Sequence, residues 1–280
     1  MSHVAVVTCA GENVDPDSPL LLRALEDCGL EASLCIWDDP TITWSNFDLV
    51  VVRSTWDYAA RRDKFLRWAR DREQLVNPYE VIEYSSDKHY LADLARRGHR
   101  VIPSQFCDVG DTPIFPDDQF VVKPCVGAGS MDVERYRADE QERARAHVLA
   151  LHARDRDVLI QPYLESVDTV GERALIFIDG LFSHAMTKGA MLNVQALDRN
   201  ALYRREQMSR AQPEPEALEV AKALLHEGGF GDLLYARVDL VFTDDGWALM
   251  ELELVEPSLY LSFDEHAARR LSEGIVRRLA

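Results

Sequence analysis

Residues 248–257 read ALMELELVEP. Ala248, Met250, Leu252 and Leu254 alternate with Leu249, Glu251, Glu253 and Val255, the pattern of a strand with one apolar face and a second face bearing two carboxylates in line. The stretch before it, LLYARVDLVF-TDDG, completes a hairpin pattern around Asp244-Asp245-Gly246. A three-residue loop with glycine last, where a left-handed residue is needed, pairs Thr243 with Trp247, Val241 with Leu249, Asp239 with Glu251 and Arg237 with Glu253. Asp239, Glu251 and Glu253 then share one face with Arg237, and Ala236, Val238, Leu240, Met250 and Leu252 fill the other. Asp239 opposite Glu251 is a like-charge pair, destabilising by itself. A hard divalent cation that takes oxygen ligands removes the conflict. The alternative is a solvated face with a surface bridge between Arg237 and Glu253. A two-residue turn shifts the register by one and parts Asp239 from Glu251. Glu256, beyond the alternation and beside Pro257, stays outside the metal set.

A chain of 280 residues has room for two or three small domains around a shared cleft. Its 47% hydrophobic content supports sizeable cores. A formal charge of −17 argues against a nucleic-acid partner, but not against a small anion in a local basic pocket. Cys9, Cys28, Cys35, Cys107 and Cys125 show no CxxC spacing and read as free thiols of a reducing cytoplasm. The opening MSHVAVVTCAG lacks the features of a signal peptide, and no apolar run nears the roughly 20 residues of a membrane span. The expectation is a cytoplasmic protein with a small-molecule ligand and no nucleic-acid or membrane partner.

The chain falls into three parts, 1–84, 85–164 and 165–280. In the first, strands HVAVVTCA, EASLCIW and FDLVVVRST alternate with helices SPLLLRALEDCG and KFLRWARDR, an α/β pattern with a parallel sheet covered on both faces. Such sheets bind ligands beyond the carboxyl ends of their strands, which makes Arg53, Ser54, Thr55 and Trp56 candidate substrate contacts; an ordinary connecting loop is the alternative. The second part has a helix, SSDKHYLADLARRG, and short strands RVIPSQF, QFVVKP and VLIQPYL. The third opens with a hairpin, ERALIFI-DG-LFSHAMTK, and closes with a helix, FDEHAARRLSEGIVRRL.

Lys88 falls in the first turn of its expected helix, where a cation opposes the helix dipole and a nearby anion would explain it. Lys123 ends the strand FVVKP, and Gly127-Ala128-Gly129-Ser130 follows, small residues whose N–H groups can fold over phosphates. GxxxxGK[ST] is absent, so this is not a Walker loop. Gln161-Pro162-Tyr163-Leu164 ends the next strand, and Pro162 marks it as an edge or a hinge.

Taken in order, these motifs resemble the ATP-grasp ligases, in the branch of glutathione synthetase and the ribosomal-protein glutamate ligases. The resemblance rests on Lys88 in SSDKHYLADL, Lys123 and GAGS, LIQPYL, and RVDLVF with LMELE. TCAG…DSPLLLRALE, VVVRSTWDY and NPYEVIEYSSDKHYL narrow it to the cyclo-ligases that act on O-ureido-serine in D-cycloserine biosynthesis. It implies an ATP-grasp fold behind a Rossmann-like N-terminal domain, with ATP between two lobes. Lys88 and Lys123 would hold the phosphates under the loop of Gly127, Ala128, Gly129 and Ser130. Gln161, Tyr163 and Leu164 would meet adenine, Glu172 the ribose, and Asp239, Glu251 and Glu253 one or two Mg2+ ions.

Two departures stand out. Glu251-x-Glu253 replaces the frequent Glu-x-Asn, and the usual arginine segment after the first hairpin is missing, leaving Lys188 or Arg204-Arg205 for its job. The implied chemistry is attack of a substrate carboxylate on the γ-phosphate, then displacement of phosphate from the acyl phosphate by a nitrogen, here the substrate's own ureido nitrogen. Arg237 is the candidate for stabilising the acyl phosphate. The alternatives are a ligase joining two amino acids, and a nucleotide-binding regulator without turnover; three crowded carboxylates argue against the latter.

Overall fold

The parallel sheet expected at the start is present. The computed structural model describes residues 2–11, 15–189 and 208–280, so Arg204 and Arg205 lie outside the described residues. Strands β1 (His3–Thr8), β2 (Glu31–Ile36), β3 (Leu49–Ser54) and β4 (Leu75–Val76) pair in parallel in the order β2-β1-β3-β4. Val4, Val6 and Val51 face helix α1 (Ser18–Asp27), while Ala5, Val7 and Val50 face helix α2 (Arg62–Arg70) and its Phe65 and Trp68. Two covered faces explain why these strands are apolar throughout rather than alternating.

Helices α3 (Tyr79–Ser85) and α4 (Tyr90–Arg96) come next. The expected single helix around Lys88 is therefore two, and Lys88 lies in the turn between them, not in a first helical turn. Lys88 thus lies just before the N-terminus of α4 rather than within it.

A second, antiparallel sheet contains β5 (Gln105–Cys107), β6 (Phe120–Pro124), β7 (Glu134–Tyr136) and β8 (Val158–Pro162), ordered β5-β8-β6-β7 and backed by α5 (Gln141–His152). Strand β8 is thus interior, not an edge; Pro162 is tolerated because it is the last residue of the strand. A short helix, α6 (Ser166–Thr169), leads on to the third sheet.

That sheet holds β9 (Glu172–Ile178), β10 (Leu181–Lys188), β11 (Met208–Ala211), β12 (Tyr235–Thr243) and β13 (Gly246–Glu253) in the order β11-β10-β9-β12-β13. Asp179 and Gly180 form the expected two-residue turn, with φ of 53° and 74°. Helix α7 (Pro215–Gly228) packs on Leu175, Val238 and Leu252, joined by Tyr90, Leu91 and Leu94 of α4. On the other face, Ala174, Ile176 and Met186 meet helix α8 (Ala267–Leu279) and the first sheet. Buried Asn77 ties the sheets together: its Nδ2 donates to the Tyr235 and Leu254 carbonyls, both at 2.9 Å, and its Oδ1 accepts from Leu234 N at 3.0 Å. Among the described residues no helix is long and apolar enough to cross a membrane, and all five cysteines are free.

Candidate active site

A cleft opens between the second and third sheets, walled at one end by the loop that follows β3. Its floor is the last hairpin. Arg237 pairs with Glu253, and Asp239 with Glu251, as the sequence predicts, but by a different route. Thr243 pairs with Gly246, not Trp247, and the tip holds only Asp244 and Asp245. That register alone would separate the acids. A β-bulge between Asp239 and Leu240 leaves Met250 as an extra residue and shifts the pairing back. Met250 is therefore carried to the cleft face, against Tyr163 and Leu164, instead of joining Leu240 and Leu252 on the buried face. Gly246 sits at φ +97°, consistent with the need for glycine at the end of the turn.

The crowded acids are matched by cations. Lys88 Nζ lies 2.9 Å from Glu251 Oε1. Lys188, opposite Glu172 across β9 and β10, pairs with Asp239 and stands 3.8 Å from Glu172. Arg237 grips Asp239 with Nε and Nη2, both at 3.0 Å, and also pairs with Glu253. Burial works against ionisation of Glu251, yet Lys88 and Lys123 hold its carboxyl down at about 2. Burial pushes Glu253 up, Arg237 opposing and Asp239 and Glu251 adding to the rise.

Lys123, at the end of β6, is buried and makes no ion pair with a described residue. Burial lowers its pKa, with Glu251 opposing. Above it runs the loop of Gly127, Ala128, Gly129 and Ser130, with Gly129 and Ser130 at φ of 62° and 57°. Arg156 pins the loop's two ends, donating to the Val126 carbonyl and to Asp132 Oδ2 at 2.6 Å each. Val126 and Ala128 rest against the first sheet's aromatic cluster, so the loop lies over the cleft.

Gln161, Tyr163, Leu164 and Glu172 all line the same cleft. Tyr163 N–H is committed to the Gln119 carbonyl at 2.8 Å, and its hydroxyl donates to Asp168 at 2.7 Å. Gln161 Nε2 donates to Ser104 Oγ at 2.8 Å. Of the loop after β3, Trp56 reaches the cleft, whereas Arg53, Ser54 and Thr55 are sealed behind it. Arg53 Nη2 donates to the Pro257 carbonyl at 3.0 Å, and Ser54 Oγ to Thr8 Oγ1 at 2.8 Å. The structure adds Tyr58, Met250, Glu256 and Ser258 to the wall. Tyr58 stood in the polar loop already singled out; Met250 could be found only by foreseeing the bulge.

Glu251 and Glu253 line the cleft with oxygen ligands, whereas Asp239 is buried behind them with both oxygens held by Arg237 and Lys188. Among the described residues the ligand atoms of these three acids do not close to within 4.8 Å of one another; the sets that do are Asp87, His89 and Cys125, and His89, Asp108 and Asp157. An open set of carboxylates suits Mg2+, which keeps waters and is completed by substrate phosphates rather than caged.

Comparison with known proteins gives the following. A family profile described as "D-cycloserine synthetase DcsG, N-terminal domain" matches residues 4–77. The "Cycloserine biosynthesis protein DcsG" of Streptomyces lavendulae is 38% identical over 300 residues, covering 100% of this chain and 99% of the relative. The crystal structure of D-cycloserine synthetase DcsG has a TM-score of 0.88 at 36% identity and covers 100% of both chains. The D-alanine–D-alanine ligase of Bacillus anthracis complexed with ATP, at TM-score 0.70 and 12% identity, covers 100% of this chain and 97% of that one. A RimK-domain ATP-grasp protein of Sphaerobacter thermophilus gives 0.69 at 16% identity, covering 98% and 99%. The last two are alike in fold.

Proposed function

The chain belongs to the D-cycloserine synthetase family on the ATP-grasp fold, and from that membership we propose that it closes O-ureido-D-serine to D-cycloserine with ATP as co-substrate. The observation that carries the reading is Lys123, a buried cation with no ion-pair partner among the described residues, under a glycine loop and in the same cleft as Glu251 and Glu253. A buried unpaired charge is costly unless a ligand completes it. A polyphosphate supplies the missing anion.

In this reading Lys88, Lys123 and the loop of Gly127 to Ser130 bind the phosphates. Tyr163, Leu164 and Met250 flank adenine, and Glu172 takes the ribose. Asp239, Glu251 and Glu253 would hold one or two Mg2+ ions, which neutralise phosphate charge when bound. Lys188 holds the Asp239 side chain in place through its ion pair. Arg237, held by Asp239 and Glu253, is positioned to meet charge developing on the acyl phosphate.

The substrate carboxylate attacks the γ-phosphorus and ADP leaves. The ureido nitrogen bonded to oxygen then attacks the acyl carbon and phosphate leaves, closing the ring. Both groups belong to one molecule, so closure is unimolecular and held geometry assists it. One water then cleaves the carbamoyl group to carbon dioxide and ammonia. Trp56 forms the substrate-side wall, and Arg53 steadies it from behind through Pro257. The free thiols accord with a reducing cytoplasm, and the functional division is 1–84, 85–164 and 165–280.

The test is incubation with Mg-ATP and O-ureido-D-serine alone, following ADP, phosphate, ammonia and the ring product. Equimolar release of all four is expected. ADP formed only when a second amine is added would instead indicate joining of two molecules. ATP binding without any ADP would sink the ligase reading.

A further inference from the structure

We propose that Glu256 anchors the α-ammonium group of the amino-acid substrate, an inference that rests on the ligase reading above. Glu256 follows the strand that carries Glu251 and Glu253 and lines the cleft, as do Trp56, Tyr58 and Ser258. Its carboxylate makes no hydrogen bond and no ion pair with a described residue. The nearby cations are committed elsewhere: Lys88 to Glu251 at 2.9 Å, Lys188 to Asp239, and Arg237 to Asp239 and Glu253. A half-buried carboxylate without an ion-pairing cation lacks half of a pair. Burial, with Glu253 adding to it and Lys88 and Arg237 opposing, pushes its carboxyl up to about 8.

The position also fits. In an α-amino acid one carbon separates the ammonium nitrogen from the carboxylate carbon. The ammonium partner must therefore lie a few ångströms from where the carboxylate meets phosphate and metal. Glu256 is three residues beyond Glu253, within about 11 Å along even a fully extended chain. Two aromatic rings, Trp56 and Tyr58, stand on the same wall, and Glu256 is the charged group that acts most strongly on Tyr58. Ring faces add to the attraction of a cation. Among the described residues the cleft thus offers Lys123, a cation without an ion pair, for phosphate and Glu256, a carboxyl without one, for ammonium.

The experiment compares O-ureido-D-serine with its des-amino analogue, 3-(ureidooxy)propanoate, in the unaltered protein and in Glu256→Gln. The unaltered protein should prefer the amino compound. Glu256→Gln should raise KM for O-ureido-D-serine roughly ten- to a hundredfold, the worth of a charge-assisted hydrogen bond, and leave KM for ATP unchanged. The preference for the amino compound should vanish, and Glu256→Asp should restore part of it. If Glu256→Gln does not turn over, binding of the two compounds in the presence of Mg-ADP is compared instead, with the same expectation. A preference that survives in Glu256→Gln overturns the assignment. Absence of turnover of O-ureido-D-serine by the unaltered protein would overturn the ligase reading instead, before any variant is made.

Discussion

Lys88 Nζ and Glu251 Oε1 meet at 2.9 Å across the cleft, the first from the turn between α3 and α4, the second from β13. The pair joins a proposed phosphate ligand to a proposed metal ligand, so each holds the other charged while ATP is away. Lys88→Met should raise KM for ATP and leave Glu251 without its partner. Urea unfolding without nucleotide should show a loss of about 1–3 kcal/mol. Lys88→Arg should recover stability more than activity. An unchanged KM for ATP in Lys88→Met would remove Lys88 from the phosphate set.

Glu251→Gln keeps the shape of the side chain and removes its charge. ADP formation should fall about a hundredfold or more, because charge at the transferring phosphoryl group loses its electrostatic support. The far-UV spectrum should be unchanged. Removing Mg2+ from the unaltered protein with a chelator should abolish ADP formation, and added Mg2+ should restore it. Near-normal turnover in Glu251→Gln would refute the metal assignment.

Asp179 stands at the tip of the β9–β10 hairpin and pairs with Arg277 at 2.6 Å and with Arg278, clamping α8 to the third sheet. Burial opposes ionisation of its carboxyl, but the two arginines outweigh it and hold the group below the usual aspartate range. A depressed carboxyl stabilises the fold above its unfolded value, about 4, and that contribution disappears as pH falls through the lower folded value. Asp179→Asn tolerates the same left-handed backbone. Its deficit against the unaltered protein should be full at neutral pH and shrink under acid, measured by urea unfolding across a pH series. A deficit that does not vary with pH would mean the charge is not what Asp179 contributes.

Gly180 follows Asp179 at φ +74°, and a Cβ there would lie 2.3 Å from the Gly231 carbonyl oxygen. Gly180→Ala should therefore cost about 2 kcal/mol or more, strain and clash together. A melting temperature equal to that of the unaltered protein would contradict the close approach.

The elements were legible because burial repeats with the period of the backbone. VAVV and LVVV announced covered strands, and Asp179-Gly180 announced its turn. The acids and lysines were legible because hydrophobic strands seldom carry charge without a reason. What escaped was local geometry that side-chain type does not encode. Methionine suits either face of a strand, so nothing in LMEL marks Met250 as a bulge. The acids were paired as expected only because the bulge cancels the shorter turn. Polarity drew attention to Arg53, Ser54 and Thr55, yet they are buried behind Trp56, since a polar loop can spend its hydrogen bonds inward. Glu256 was set aside because strand alternation had ended. The chain turns there, and the turn, not the pleat, aims the side chain.

The bulge at Met250 divides the last hairpin into two lengths of ladder in series. The inner length, bearing the acids, is fixed by β9 and by Arg237; the outer length runs to an exposed tip. Met250 acts as a spacer letter between two words. Deleting it would close the gap without a change of frame: Leu249 would stay opposite Leu240 and Glu251 opposite Asp239 in one unbroken ladder, and only the side chain that Met250 adds to the cleft wall would be lost. Changes beyond it, in the tip, can be absorbed without moving an acid. Grafting a peptide into Asp244-Asp245 is therefore a route to tagging this protein at the hairpin tip while the pairing of the acids stays intact.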